Sequence, residues 1–442
     1  MRIGVMSWTP GRNGWSFLLG TALLTWSPAL PAQAPEASPT RLTLDEAVTL
    51  ALRQSPTLAR VTGEFDQARA ARLGARGALL PNMNLGYGFA ESSTGRLDPT
   101  GQAITNTSWW GQASASFDIL GIPRRTADAR SAGSGAAAAE ARYEEERYRT
   151  ILETKRAYFE TVAARERVRV EEGRVRRQEA QLDSVLVRLE IGEAARTDRL
   201  RSEVALNEAR LALIQAGNTA RSASLFLGSV VGFGHSVEPA LARIPDPEPL
   251  PLGLDEMVRI ALDQAPGMES ARAETTAASR AQTSTRLSLL PSLNVIGGWA
   301  WTAAEFPPEN RSWQVILQGS IPLFNGFQRE SELMTAGARV STARAVERST
   351  ELRIRAEVSD AHAEVEAASL SIRLAESNVA LAREEMEANQ ERFRFGRGSL
   401  LEVQTAQIAL QEAELAMIRA RLDYQVGVAT LEYLLGTELE RP

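Results

Sequence analysis

Cysteine is absent from the 442 residues, and histidine occurs only twice, at His235 and His362, far apart in the chain. The missing cysteines exclude disulfides, thiol nucleophiles, cysteine zinc sites and an N-terminal cysteine that could carry lipid. Both histidines read as structural or solvated. No phosphate-cradling glycine loop, Ser/His/Asp set or metal-ligand cluster appears, so no catalytic residue, cofactor or metal is expected. Basic excess is also missing: a formal charge of −6 and a pI near 5.4 give nucleic acid no electrostatic footing. Beyond the N-terminus no apolar run reaches the roughly twenty residues of a spanning helix. If this chain crosses a membrane, it must do so with strands.

What is present begins with a segment that reads as an export signal over residues 1–34. Arg2 and Arg12 precede the apolar "WSFLLGTALLTW", and small residues follow in "SPALPAQA". Cleavage is open between Ala34 and Ala29, because Pro35 lies just past the first. The mature protein is expected to leave the cytoplasm.

The chain then says nearly the same thing twice. At a shift of 210, Leu44–Ala90 matches Leu254–Ala300 without gaps, with Leu44-Asp45-Glu46 recurring as Leu254-Asp255-Glu256 and Leu79-Leu80-Pro81 as Leu289-Leu290-Pro291. At a shift of 204, "RLEIGEAARTDRLRSEVALNEARLALI" from Arg188 matches "RFRFGRGSLLEVQTAQIALQEAELAMI" from Arg392. Two equivalent halves, 35–229 and 254–442, are expected, separated over 230–253 by a linker whose prolines fix φ and remove donors. Each half reads as helix, two short strands, a very long helix, a glycine turn and a return helix. The strands are placed at about 82–92 and 108–120, then 292–302 and 311–323. The long helices fall at about 123–190 and 325–395, and the return helices at about 195–229 and 399–435.

Parity gives the strands their character. Met83, Leu85, Tyr87 and Phe89 alternate with Asn82, Asn84, Gly86 and Gly88; Trp109, Ala113 and Phe117 alternate with Trp110, Gln112, Ser114 and Ser116. The second half repeats this with Leu293, Val295, Trp299 and Trp301, then with Trp313, Val315, Leu317 and Ile321. One apolar face and one small or polar face at period two is what a lipid-facing barrel strand requires. Trp109, Trp110, Trp299, Trp301 and Trp313, with Tyr87 and Phe89, are the expected aromatic girdle beside polar loops. In "SIPLFNGF", Pro322 ends the last ladder and Asn325-Gly326 returns the chain to helix.

The long helices, at about 1.5 Å per residue, would each reach roughly 100 Å. The second has a seam of Val358, Val365, Ile372, Val379, Met386 and Phe393, alternating with Ala361, Ala368, Ala375 and Ala382. It continues in the return helix from Val403 to Leu434. A second apolar line, Leu370, Leu374 and Leu381, lies off this seam, as on a stave with two neighbours. The first long helix keeps a weaker beat through Val168, Val175, Leu182 and Leu189, and irregularity is expected at "SAGSGAAAA". Four strands cannot close a barrel, and open edges in lipid leave backbone groups unpaired. Three or more copies with an open lumen are therefore expected.

"LDEAVTLALRQSP", "SIPLFNG" and "FGRGSLLEVQTAQIALQEAELAMIRARLDYQVGVATLEYLLG", together with the paired repeats, resemble the TolC family of outer-membrane efflux proteins over essentially the whole mature chain. The resemblance implies a mixed, mostly α fold in which a homotrimer completes a 12-stranded barrel in the outer membrane and extends a coiled-coil tunnel into the periplasm. It also implies an equatorial belt at the linker, and cargo delivered by an inner-membrane pump through a periplasmic adaptor. Gly192 and Gly396 would turn the chain at the periplasmic tips. Behind them Asp198 with Arg196 and Arg199, and Glu402 with Arg397, form a candidate gate, since one carboxylate per copy becomes a ring that selects cations. The family's mouth usually adds an acidic residue three after the first; here that position is Thr405. The rival reading is a soluble periplasmic coiled-coil adaptor or scaffold, against which the duplicated strand pairs argue.

Overall fold

The computed structural model describes residues 40–97, 99–100, 103–321 and 323–439. The export signal and Pro322 lie outside them. In chain order the elements are β1 (Thr40–Leu42), α1 (Leu44–Gln54), α2 (Pro56–Gly77), β2 (Asn82–Leu97), β3 (Ala103–Asp118), α3 (Ile122–Glu190), α4 (Arg196–Val231), β4 (Val237–Pro239), α5 (Leu254–Gln264), α6 (Pro266–Leu287), β5 (Ser292–Ala303), β6 (Asn310–Ser320), α7 (Gln328–Arg394) and α8 (Leu400–Leu435). The fold is mostly helical, with a four-stranded antiparallel sheet and a two-stranded parallel one joining β1 to β4.

Local sequence sets the breaks. Pro56 and Pro266 each occupy the first turn of a 22-residue helix, and the residues before them, Ser55 and Ala265, are extended at ψ 120 and 129, as the clash with a following proline ring demands. A single helix is thereby split into α1 and α2, and again into α5 and α6. α1 starts with a complete capping box: the Glu46 N–H donates to Thr43 Oγ1 at 3.3 Å, and the Thr43 N–H donates to Glu46 Oε2 at 2.8 Å. α5 has Gly253 at the same place and no side-chain cap.

The long helices carry the packing. Val358, Val365 and Ile372 of α7 are at most 1% exposed against Tyr424, Val428 and Leu431 of α8, with Met257 and Ala261 of α5 closing the cluster. Gly427 sits where a Cβ would come 2.7 Å from Val365 Cγ2, so the helix axes approach as closely as the Ala-rich seam implied. The corresponding cluster in the first half joins Leu42 and Ala47 to Tyr158, Val162, Leu227 and Val231. Leu370, Leu374 and Leu381 stay 53%, 67% and 61% exposed.

Two expectations change. α3 is one unbroken 69-residue helix through Gly133 and Gly135, because Ala127, Ala136 and Ala138 are buried against neighbouring helices and tertiary packing overrides the glycine penalty. Its expected seam is also displaced. Val168, Val175, Leu182 and Leu189 are only half-buried, while the buried line towards the tip is Glu171, Gln178, Gln181 and Val185. Gln178 Nε2 donates to Gln407 Oε1 of α8 at 2.9 Å, and Gln411 Nε2 to Glu171 Oε1 at 2.7 Å. Hydrophobic periodicity could not show a buried stripe that is amide and carboxylate.

Candidate functional site

Strand order β2-β3-β5-β6 makes one meander, and its register decides which residues share a face. Met83 stands opposite Ala115, Tyr87 opposite Gly111 and Phe89 opposite Trp109. Ala113 stands opposite Trp299 and Phe117 opposite Val295, and Trp299 is opposite Trp313, with Val295 opposite Leu317. Directly opposed residues point the same way, so odd positions form one continuous face across all four strands. That face is apolar and open: Met83 is 78% exposed, Tyr87 87%, Trp313 74% and Leu317 66%. The even face carries Asn84, Ser114, Ser116, Asn294, Gln314 and Gln318. Outer strands β2 and β6 each have one edge with no strand beside it among the described residues.

The aromatic residues divide between the faces. Tyr87, Phe89, Trp109, Trp299, Trp301 and Trp313 hold odd positions. The Phe89 and Trp109 rings lie 4.8 Å apart, and Trp109 and Phe306 5.2 Å. Trp110 does not join them: it is even, and its indole lies over Gly86 and Gly88 on the opposite face. The first hairpin also extends past its expected ends. Most of "ESSTGRLDPTGQAITNTS" is strand, with Ser93 opposite Thr105 and a register shift before Leu97 meets Ala103. Trp109 and Trp110 therefore stand within a 16-residue strand rather than beside the loop. Polarity marked that segment as loop, but its alternating threonines favour extended backbone.

Where sheet becomes helix, Asp118 is 7% exposed and its Oδ1 accepts from the Gly121 N–H at 3.0 Å and the Leu293 N–H at 3.1 Å. One carboxylate thus shapes the turn into α3 and anchors the start of β5. Sequence reading passed over it because an aspartate ending a strand carries no distinctive signal.

At the far end of the long helices, Gly192 (φ 79) and Gly396 (φ 72) adopt the left-handed conformation that ends each one. The Glu193 and Arg397 N–H groups donate to the Arg188 and Arg392 carbonyls, both at 2.8 Å. The candidate gate carboxylates are helix caps. The Ser399 N–H donates to Glu402 Oε2 at 3.1 Å while the Glu402 N–H donates to Ser399 Oγ at 3.3 Å, and the Ala195 N–H donates to Asp198 Oδ2 at 3.1 Å. Within one chain Arg199 faces Glu203 at 3.0 Å, Glu402 lies 3.9 Å from Arg392, and Arg196 and Arg397 are exposed. The two tips are joined by Arg188, which donates from Nη1 to the Phe393 carbonyl at 2.6 Å and lies 4.6 Å from that ring's centre.

A lipid-ready sheet at one end of helices about 100 Å long, and paired glycine turns at the other, is matched by the family model "Outer membrane efflux protein", which aligns with residues 47–232 and 257–437. The chain belongs to the outer membrane efflux protein family. Among relatives, it is 28% identical over 352 residues to Protein CyaE of Bordetella pertussis, covering 75% of this chain and 70% of that one. It is 22% identical over 291 residues to the outer membrane efflux protein BepC of Brucella suis, covering 65% and 63%. The fold matches the Campylobacter jejuni CmeC outer membrane channel at a TM-score of 0.79 and 17% identity, over 90% of this chain and 87% of that one. It also matches VceC of Vibrio cholerae at 0.75 and 18%, over 90% and 97%. As a member of the outer membrane efflux family, this chain is a channel protein of the outer membrane and not an enzyme.

Proposed function

We propose that three copies of this chain close a twelve-stranded barrel in the outer membrane and continue into a helical tunnel, passively conducting cargo that an inner-membrane pump delivers through a periplasmic adaptor at the tips. One observation carries the reading: the four-stranded sheet has a single continuous apolar face and two unpaired edges. An edge in hydrocarbon leaves N–H and C=O groups at several kcal/mol each without partners, so only closure by further copies makes the sheet stable there. Eight strands fill their own interior with side chains, whereas twelve leave a lumen suited to small and polar even residues.

The helices support the same assembly. Val204, Leu211 and Ile214 of α4 are 57%, 56% and 61% exposed, and with Leu370, Leu374 and Leu381 of α7 they leave apolar lines on both flanks of the chain. Neighbouring staves would cover both. We read the two halves as a duplicated unit, since α1 and α5, α2 and α6, and α4 and α8 agree in length at 11, 22 and 36 residues. Asp198 and Glu402 would each become a threefold ring at the tips. Their caps occupy Oδ2 and Oε2, leaving the second carboxylate oxygen to meet cations.

Cysteines placed on β2 and β6 should cross-link between subunits in outer-membrane fractions, giving an oligomer that dissociates on heating. A monomer in the soluble periplasmic fraction would overturn the channel in favour of a scaffold. For the tips, Glu402→Ala should change single-channel conductance, or its block by multivalent cations, in planar bilayers. If both stay as in the parent, the gate assignment is retired.

A further inference from the structure

The even face of the sheet is built mostly of Asn, Ser, Gln, Gly and Ala, with Ile296, Ile316 and Thr302 on β5 and β6 and Arg96 and Asp118 at strand ends, and it carries a single aromatic ring. Trp110 is the one aromatic residue at an even position among the described strand residues, while seven aromatics occupy odd ones. Its surroundings on β2 are shaped for it. A Cβ on Gly88 would lie 2.7 Å from Trp110 Cε2 and Cζ2 and 2.9 Å from Nε1, and one on Gly86 would lie 3.3 Å from Cζ3 and 3.6 Å from Cη2. The indole therefore lies along β2 against bare backbone, its pyrrole edge at Gly88 and its benzo ring at Gly86. No side chain other than hydrogen fits beneath it. Glycine within a strand weakens it and calls for a local reason, close approach being one. Trp110 nevertheless remains 42% exposed, so one ring face is against the wall and the other is free.

We propose that Trp110 is a cargo-contacting residue of the conduit, its indole held flat against the lumenal wall in a slot made by Gly86 and Gly88, with its free face taking aromatic and organic-cation solutes in transit. The inference rests on the reading that the even face lines the channel. An interfacial anchoring role, the usual reason for Trp in a membrane strand, belongs to the odd face, where Trp109, Trp299 and Trp313 already stand. On the even face the neighbouring positions are Ser108, Gln112 and, across on β5, Thr302, paired directly with Trp110. These cannot stack or offer a quadrupole to a cation, whereas a Trp face does both.

The test uses the full-length protein in planar bilayers, with benzyltrimethylammonium and tetramethylammonium as probes. In the parent, benzyltrimethylammonium should dwell in the open pore longer than tetramethylammonium. Trp110→Ala should shorten that dwell by about 2- to 30-fold, the range a single cation–π and stacking contact spans, and Trp110→Phe should restore part of it. Tetramethylammonium should respond little. Gly88→Ala should force the indole out of its slot and lower unit conductance, and adding Trp110→Ala should return the conductance. Pores that form normally, with equal benzyltrimethylammonium dwell in the parent and Trp110→Ala and with parental conductance in Gly88→Ala, would overturn this inference while leaving the channel intact. If no pore forms from the parent protein, the channel reading itself fails.

Discussion

Lys155 is the chain's single lysine among 49 basic residues, and it is spent inside the fold. Its Nζ lies 2.6 Å from Glu432 Oε2, with side chains 14% and 10% exposed, joining α3 of the first half to α8 of the second. Two charges that far from water are stable only together: removing one partner from a buried pair costs about 3–5 kcal/mol, while replacing both with apolar groups can be neutral. Lys155→Met alone should therefore lower the temperature of helical melting by circular dichroism, and Lys155→Met with Glu432→Leu should recover most of the loss. Asp118 poses the same kind of question with backbone partners. Asp118→Ala leaves the Gly121 and Leu293 N–H groups in a buried place without their acceptor, each worth about 1–3 kcal/mol. A lower melting temperature is expected, and Asp118→Asn, which keeps one acceptor oxygen, should soften the loss. Glu46 supplies a pH-dependent case. The Thr43 backbone N–H, and then the Thr43 side chain, hold its carboxyl below the usual glutamate value of 4.5. A group whose folded value is depressed contributes fully above the unfolded value and loses that contribution as pH falls through the folded one. Amide protection at the start of α1, measured against the intrinsic exchange rate at each pH, should thus fall under acid, and in Glu46→Gln that acid-dependent step should disappear.

At the scale of elements, the turns at the two tips were legible because glycine in the left-handed region ends a helix by a rule the sequence displays openly. Gly192 and Gly396 are strained by any side chain for that reason. Gly396→Ala should cost about 1 kcal/mol, roughly the penalty for an L-residue in the left-handed region, and should loosen the contact of Arg188 with Phe393, seen as faster proteolysis at the tip. The long seam of α7 was equally readable, since period and residue size both point to close helix packing. What escaped was chemistry without periodicity: the Gln178–Gln407 amide pair, the Arg188 clasp and the Asp118 anchor each depend on a partner more than a hundred residues away. The extended first hairpin escaped because strand polarity and loop polarity look alike once both faces meet water. Parity did reveal that Trp109 and Trp110 point oppositely, yet proximity in sequence grouped them into one girdle, and only the register across β2 and β5 separates their roles.

For the whole molecule, what decides function is how apolar surface is distributed along the long axis. The sheet exposes one continuous odd face, whereas the helices expose narrower lines, among them Val204, Leu211 and Ile214 on α4, and Leu370, Leu374 and Leu381 on α7. A line one residue wide fits a neighbouring helix and is too narrow to sit in lipid, so the two kinds of surface call for different partners, bilayer for the first and a second copy for the other. Leu374, 67% exposed in the single chain, would be enclosed between subunits. Leu374→Glu would then place a charge in each of three equivalent interfaces, where an unpaired carboxylate costs several kcal/mol. The variant should reach the outer membrane fraction poorly and yield monomer on a native gel, while Glu364→Leu, an exposed change on the same helix, should leave the oligomer unaltered. Assembly of Leu374→Glu at the parental level would mean that this line faces water in the assembled protein and that α7 meets its neighbour through another face.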